Sequence, residues 1–131
     1  MAISISLLSL CFLTHCLTFP VREPAHVFTL LESVYCTFDR IARAQRVFKV
    51  ETVGDCYVAV TGFPDLQDDH ATRMCRFAGT CLSNFEVLVK RLEVRLGPDT
   101  GDLGLRIGIH SGQITAGMDR LCIYASDIFN L

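Results

Sequence analysis

Two carboxylates four residues apart, Glu51 and Asp55, interrupt a stretch that otherwise reads as buried strand: Lys49-Val50-Glu51-Thr52-Val53-Gly54-Asp55-Cys56-Tyr57-Val58-Ala59-Val60-Thr61-Gly62. β-Branched and aromatic residues flank Val53-Gly54-Asp55, which predicts a tight hairpin with Gly54 supplying the positive φ of its turn. A solvated hairpin has no need of acids at these places. A hard carboxylate oxygen at an exposed turn suits magnesium or manganese, and a strand carboxylate can accept from a purine edge that offers two donors. Each acid alone has an ordinary reading, Asp55 as a turn residue and Glu51 as a solvent-facing strand residue. Their joint placement points to binding chemistry.

The neighbouring pattern supplies the elements that would hold them. From Pro24 a helix is expected, with Val27, Leu31, Val34, Phe38 and Ile41 as its buried stripe. After the hairpin, Phe63-Pro64-Asp65 breaks the strand, and Asp68 or Asp69 is a natural N-cap for a second helix. That helix carries Ala71, Met74, Ala78, Cys81, Phe85, Leu88 and Leu92 at helical spacing. Gly97 to Asp102 reads as a loop, and Leu103 to Thr115 as a strand with a bulge or bend at His110-Ser111-Gly112. The order helix, strand, strand, helix, strand needs one leading strand to become a βαββαβ ferredoxin-like sandwich of the α+β class.

Composition narrows the class. One domain at most fits in 131 residues, and a hydrophobic share of 50% with a net charge of −2 argues for a packed core. No basic stripe is present, so nucleic acid is excluded as a partner. The seven cysteines include no Cys-x-x-Cys pair, and their spread along strand and helix fits buried reduced thiols better than a disulfide framework or a zinc site. Residues 1–19 hold no Lys, Arg, Asp or Glu and read as a hydrophobic leader or a non-native start. A signal peptide, a short anchor and a buried strand or helix are the readings of such a run, but the first lacks a basic n-region and a cleavage site. His70, expected in the first turn of the second helix, and His110, at a strand bend, have no acidic or nucleophilic partner at catalytic spacing, so structural roles are expected for both.

The hairpin, with Val21-Arg22-Glu23-Pro24-Ala25 and Phe38-Asp39 before it and Asp69-His70-Ala71, Leu105-Arg106-Ile107-Gly108-Ile109-His110-Ser111-Gly112 and Thr115-Ala116-Gly117 after it, resembles the class III nucleotide cyclases, the adenylate and guanylate cyclase catalytic domain. The likeness is to receptor-type enzymes such as those of microalgae, and it covers roughly residues 20–118 as a partial domain, leaving 119–131 as a divergent C-terminal tail. The resemblance implies conversion of a nucleoside triphosphate to its 3′,5′-cyclic monophosphate and pyrophosphate, with two divalent cations, Mg2+ or Mn2+. It makes Asp55 the second of two metal-holding aspartates and Glu51 the reader of the base. Lys stands at that place in adenine-selective members, so Glu51 implies GTP. Cys122 is a second candidate base contact, and Asn130 faintly echoes a ribose-orienting Asn. A second cyclase domain, in a homo- or heterodimer, is implied as partner, because such sites form between two domains. A membrane-bound receptor parent, with this domain on the cytoplasmic face, is implied as well.

The departures set a limit on activity. The family's first metal Asp lies in a strand just before Val21, but the first acid of this chain is Glu23, so that strand is expected to be missing or replaced and its ligand absent. The family's catalytic Asn and Arg, four residues apart on a later helix, have no counterparts at matching positions, so no catalytic residue is assigned. A guanylate cyclase catalytic domain, partial and inactive alone, is therefore the expected function. The alternative is a non-catalytic regulatory or dimerisation partner of an intact cyclase. A ferredoxin-like binding domain unrelated to nucleotides is disfavoured by the clustered motifs.

Overall fold

The computed structural model describes residues 3–12 and 24–114. In chain order the elements are strand β1 (Ile3–Phe12), helix α1 (Pro24–Gln45), strands β2 (Phe48–Val53) and β3 (Cys56–Thr61), helix α2 (His70–Leu96), a 3-10 turn (Pro98–Asp102) and strand β4 (Leu105–Ile114). The four strands form one antiparallel sheet in the order β2-β3-β1-β4. This is the βαββαβ ferredoxin-like arrangement, with its first strand in place.

That first strand is the hydrophobic leader. Ile3–Phe12 pairs with β3 from Ser6↔Thr61 to Cys11↔Cys56 and with β4 from Ile3↔Ile114 to Phe12↔Leu105. The sheet is therefore complete at its centre, and the first strand is replaced rather than missing. An uncharged run suits a strand with a neighbour on each side. The alternation Ile3-Ser4-Ile5-Ser6 fits the period of two that a strand requires. Among the described residues no helix is long and apolar enough to cross a membrane.

Both helices pack on one face of the sheet. Leu30, Val34, Phe38 and Ala42 of α1 meet Met74, Phe77, Ala78, Cys81, Phe85, Val89 and Leu92 of α2 over Tyr57 and Ala59 of β3. The buried stripe of α1 thus runs at i, i+4 steps from Leu30, one residue off the expected Val27–Leu31 line, with Leu31 and Ile41 at its margin. In α2 Phe77 and Val89 join the expected set, while Ala71 is exposed and Leu88 half-buried. Thr61, fully buried at the end of β3, donates from Oγ1 to the His70 carbonyl at 2.8 Å and ties the sheet to the start of α2.

One local expectation gains a detail and two are corrected. Asp69 occupies the N-cap of α2 but makes no side-chain cap bond; its carboxylate instead takes both hydrogen bonds from Arg73 Nη2, at 3.0 and 3.2 Å. Residues Pro98–Asp102 form a 3-10 turn rather than an irregular loop. Strand β4 pairs without interruption through His110-Ser111-Gly112, and the sheet's irregularity lies in β2, between Lys49 and Glu51.

Cysteine placement is mixed. Cys36 and Cys75 are exposed and Cys81 is buried, so the expectation of uniformly buried thiols holds for Cys81 and fails for the other two. Burial pushes the Cys81 thiol up from 9.0 to about 12. In the native chain iodoacetamide is expected to label Cys36 and Cys75 at pH 8 and to reach Cys81 only after denaturation, as read by peptide mass spectrometry. The folded thiol keeps its proton where an unfolded one ionises. Its contribution to stability is therefore complete below about pH 9 and is lost as the pH rises toward 12.

Candidate functional site

The hairpin that carries the two acids closes on Val53↔Cys56, leaving Gly54 and Asp55 as a two-residue loop. Gly54 has φ 58°, and Arg46 is the one non-glycine with positive φ among the described residues, so Asp55 has negative φ. Positive φ at the first loop position alone is the type II′ pattern, which favours glycine there and matches the twist of the strands. Asp55 is half-buried at this turn.

Glu51 is turned elsewhere by the irregularity in β2. Lys49 pairs with Ala59, yet Glu51, two residues on, pairs with Val58 rather than Tyr57. One extra residue, Val50, is accommodated there, and such a bulge reverses the side-chain parity of the strand beyond it. Lys49 shares the helix face with Ala59 and Tyr57, while Glu51 shares the opposite face with Val58. Glu51 is exposed there. Neither Glu51 nor Asp55 has a hydrogen-bond or ion-pair partner among the described residues.

Helix α1 anchors the hairpin through one stripe of its surface. Tyr35, Phe38 and Asp39 stand at i, i+3 and i+4 and so point the same way. Asp39 accepts from Tyr57 Oη at 2.9 Å and pairs with Lys49 Nζ at 2.9 Å, bridging β3 and β2. Lys49 Nζ lies 5.2 Å from the centre of the Tyr57 ring, and Phe38 meets that ring edge-on at 5.6 Å. Burial, then the bond to Asp39, holds the Tyr57 phenol far above the usual tyrosine range, so it stays a donor at every working pH. Tyr35 donates from Oη to the Gly54 carbonyl at 2.8 Å. The acids therefore sit on a strand pair clamped to a helix, a rigid mount for a ligand or a base contact.

The register adds a residue that the sequence reading passed over. Cys56 of β3 and Arg106 of β4 both stand opposite Cys11 of β1 in the register, and they alternate with Tyr57 and with the core-packed Leu105 and Ile107, so both lie on the face turned from the helices. Arg106 is exposed and its guanidinium has no partner among the described residues. A positive charge between Leu105 and Ile107, inside a strand, was the available signal. His110 is exposed on the same strand, and His70 opens α2 with its backbone carbonyl accepting from Thr61 Oγ1. Cys122, Asn130 and Thr115-Ala116-Gly117 lie outside the described residues.

As a cation site the hairpin fits in part. Asp55 offers a hard oxygen donor that nothing else in the described chain engages, and no described cluster of three or more metal-ligating side chains surrounds it. Strand β1 brings no acid to its neighbourhood, since the residues of β1 at the level of Cys56 and Leu105 are Cys11 and Phe12.

This fold recurs in known proteins. The family described as "Adenylate and Guanylate cyclase catalytic domain" matches residues 11–130, nearly the whole chain and into both the leader and the tail. The receptor-type guanylate cyclase gcy-28 of Caenorhabditis elegans is 37% identical over 110 residues, which are 80% of this chain and 8% of that protein. The guanylate cyclase soluble subunit beta-2 of Rattus norvegicus is 36% identical over 113 residues, 81% of this chain and 15% of the subunit. Among solved structures, the guanylate cyclase domain of RhGC from Catenaria anguillulae, determined in complex with GTP, superimposes with a TM-score of 0.68 at 27% identity, covering 88% of this chain and 59% of that one. The adenylyl cyclase CyaB of P. aeruginosa shares the fold with a TM-score of 0.79 at 19% identity. The chain thus spans a small part of these full-length relatives and about six-tenths of the solved domains. A βαββαβ sheet, a carboxylate-bearing hairpin clamped to its first helix, and a family match across residues 11–130 lead to one conclusion: the chain belongs to the adenylate and guanylate cyclase catalytic domain family.

Proposed function

We propose that this chain is a guanylate cyclase half-site, contributing a guanine contact and a cation ligand to sites completed by a second cyclase domain, in a homo- or heterodimer. The observation that carries this reading is the opposed placement of the two acids. The Val50 bulge puts Glu51 on the open sheet face while Asp55 stays at the hairpin tip, so one hairpin can serve two separate sites.

Glu51 accepts from guanine N1–H and the 2-amino group, a pair of donors that adenine lacks. Asp55 holds Mg2+ or Mn2+, which when bound lowers the cost of deprotonating the ribose 3′-hydroxyl and neutralises phosphate charge. Arg106, on the open face, offers a positive charge to the same phosphates. Cys122 stands as the second base contact. The leader, residues 20–118 and the tail from 119 belong to one catalytic domain with an altered first strand. Receptor-type relatives support a membrane-bound parent with this domain on the cytoplasmic face, and soluble relatives match equally well.

One observation favours a second reading, a non-catalytic partner that regulates or dimerises with an intact cyclase: β1 carries no acid to stand beside Asp55. Mixing decides between them. The chain is combined with a cyclase domain that keeps both metal aspartates but has lost its base-reading Glu, and cyclic GMP is measured. Activity restored by the wild-type chain and not by its Glu51→Ala form supports the half-site. Restoration that survives Glu51→Ala supports the regulatory reading, and no restoration removes both.

A further inference from the structure

We infer that Tyr35 is a positioning residue: its hydroxyl locks the Gly54–Asp55 peptide in one orientation and so aims the Asp55 carboxylate at a divalent cation. The inference rests on the reading of Asp55 as a cation ligand.

The hairpin ladder leaves the Gly54 carbonyl unpaired. Val53 and Cys56 close the loop, and the central peptide, with the Gly54 carbonyl on one side and the Asp55 amide on the other, takes no part in strand pairing. Types II′ and I′ differ by a flip of this one peptide, which changes ψ of Gly54 and the sign of φ at Asp55. Asp tolerates positive φ better than most residues, so a Gly-Asp loop is open to both forms and the turn sequence alone does not choose. The structure has negative φ at Asp55, the II′ form, and the group that touches the deciding carbonyl is Tyr35 Oη, at 2.8 Å.

The donor itself is well held. Tyr35 lies one turn before Asp39 on α1, and its ring meets the Tyr57 ring at 5.9 Å, within the stripe that clamps the hairpin. The phenol comes from a helix rather than from the loop, so its position does not depend on the turn it constrains. Flipping the peptide would break this bond and redirect the Cα–Cβ bond of Asp55. The hydrogen bond therefore favours this orientation, and removing it frees the turn without opening the core.

The full chain, labelled with 15N, is titrated with Mn2+, and paramagnetic broadening of the Asp55 and Cys56 amides is followed by NMR. The wild type is expected to show broadening centred on the turn, and Asp55→Asn to abolish it. Tyr35→Phe should raise the Mn2+ concentration for half-broadening about threefold to tenfold, the range for one lost hydrogen bond, with a melting temperature near wild type. Without metal, the same variant should gain a strong Gly54–Asp55 amide–amide NOE, the mark of the flipped I′ turn, which a purely structural role for the ring would not produce. An unchanged midpoint and no new NOE in Tyr35→Phe, with broadening still lost in Asp55→Asn, would overturn the positioning role alone. Broadening that survives Asp55→Asn would instead remove Asp55 as the ligand, and the aim assigned to Tyr35 with it.

Discussion

With GTP and manganese, the purified 131-residue chain is expected to form cyclic GMP at least about a hundredfold more slowly than a complete two-domain guanylate cyclase. The physical reason is the charge available to the reacting phosphate. Asp55 is a single carboxylate at the hairpin tip, and the strand beside it, Ile3–Phe12, is uncharged throughout. One aspartate holds a cation weakly, because magnesium and manganese are fixed in such sites by several oxygen donors. Loss of one preorganised charge-stabilising group costs about two to three decades in rate, and here the loss adds to an unpaired half-site. The measurement is cyclic GMP produced by the chain alone and by the complete enzyme under the same conditions. Turnover within about tenfold of the complete enzyme, and abolished by Asp55→Ala, would show that the chain builds a full site by itself.

Exchanging Glu51 for lysine should shift base preference from GTP toward ATP. A carboxylate on the open face can pair with guanine through two donors, whereas adenine presents an acceptor at N1 and would leave it desolvated and unpaired. Such a group costs about 1–3 kcal/mol or more, roughly two decades of discrimination. Glu51→Lys replaces the acceptor by a donor suited to adenine N1. Glu51 is exposed and without a partner among the described residues, so the change should leave stability within about 0.5 kcal/mol. The test is the ratio of kcat/KM for GTP and ATP in a paired, complete cyclase carrying this hairpin. The ratio is expected to fall by about a hundredfold, with a full switch needing the second base contact as well. A ratio unchanged by the substitution, with activity intact, would make Glu51 an ordinary surface residue.

Much of the frame was legible in the chain because it rests on local chemistry. The spacing of apolar residues marked both helices to within a residue or two, although Leu30 rather than Leu31 proved to be central in α1. Gly54 marked the hairpin because only a positive φ closes a two-residue turn of this hand. The resemblance carried by this hairpin and the strands around it led to the family, and the match over residues 11–130 bears it out. Asp69 marked the start of α2, although its carboxylate bonds to Arg73 rather than to the backbone. The first strand was left open, because an uncharged run of this kind fits a strand, an anchor or a helix until its neighbours are known.

What the sequence by itself determined was which groups are present: one hairpin, two acids, no acid in the leader. Which way those groups face was decided by tertiary structure. Lys49 and Glu51 are two residues apart and in a regular strand would share a face; the Val50 bulge separates them, sending Lys49 to Asp39 and Glu51 to the open side. No propensity of Val50 announces that. Lys49 meets partners distant in sequence, the Asp39 carboxylate on α1 and the Tyr57 ring on β3, which exist as neighbours only once helix and sheet are packed. The same holds for Tyr35 and the Gly54 carbonyl, nineteen residues apart along the chain and 2.8 Å apart in the fold.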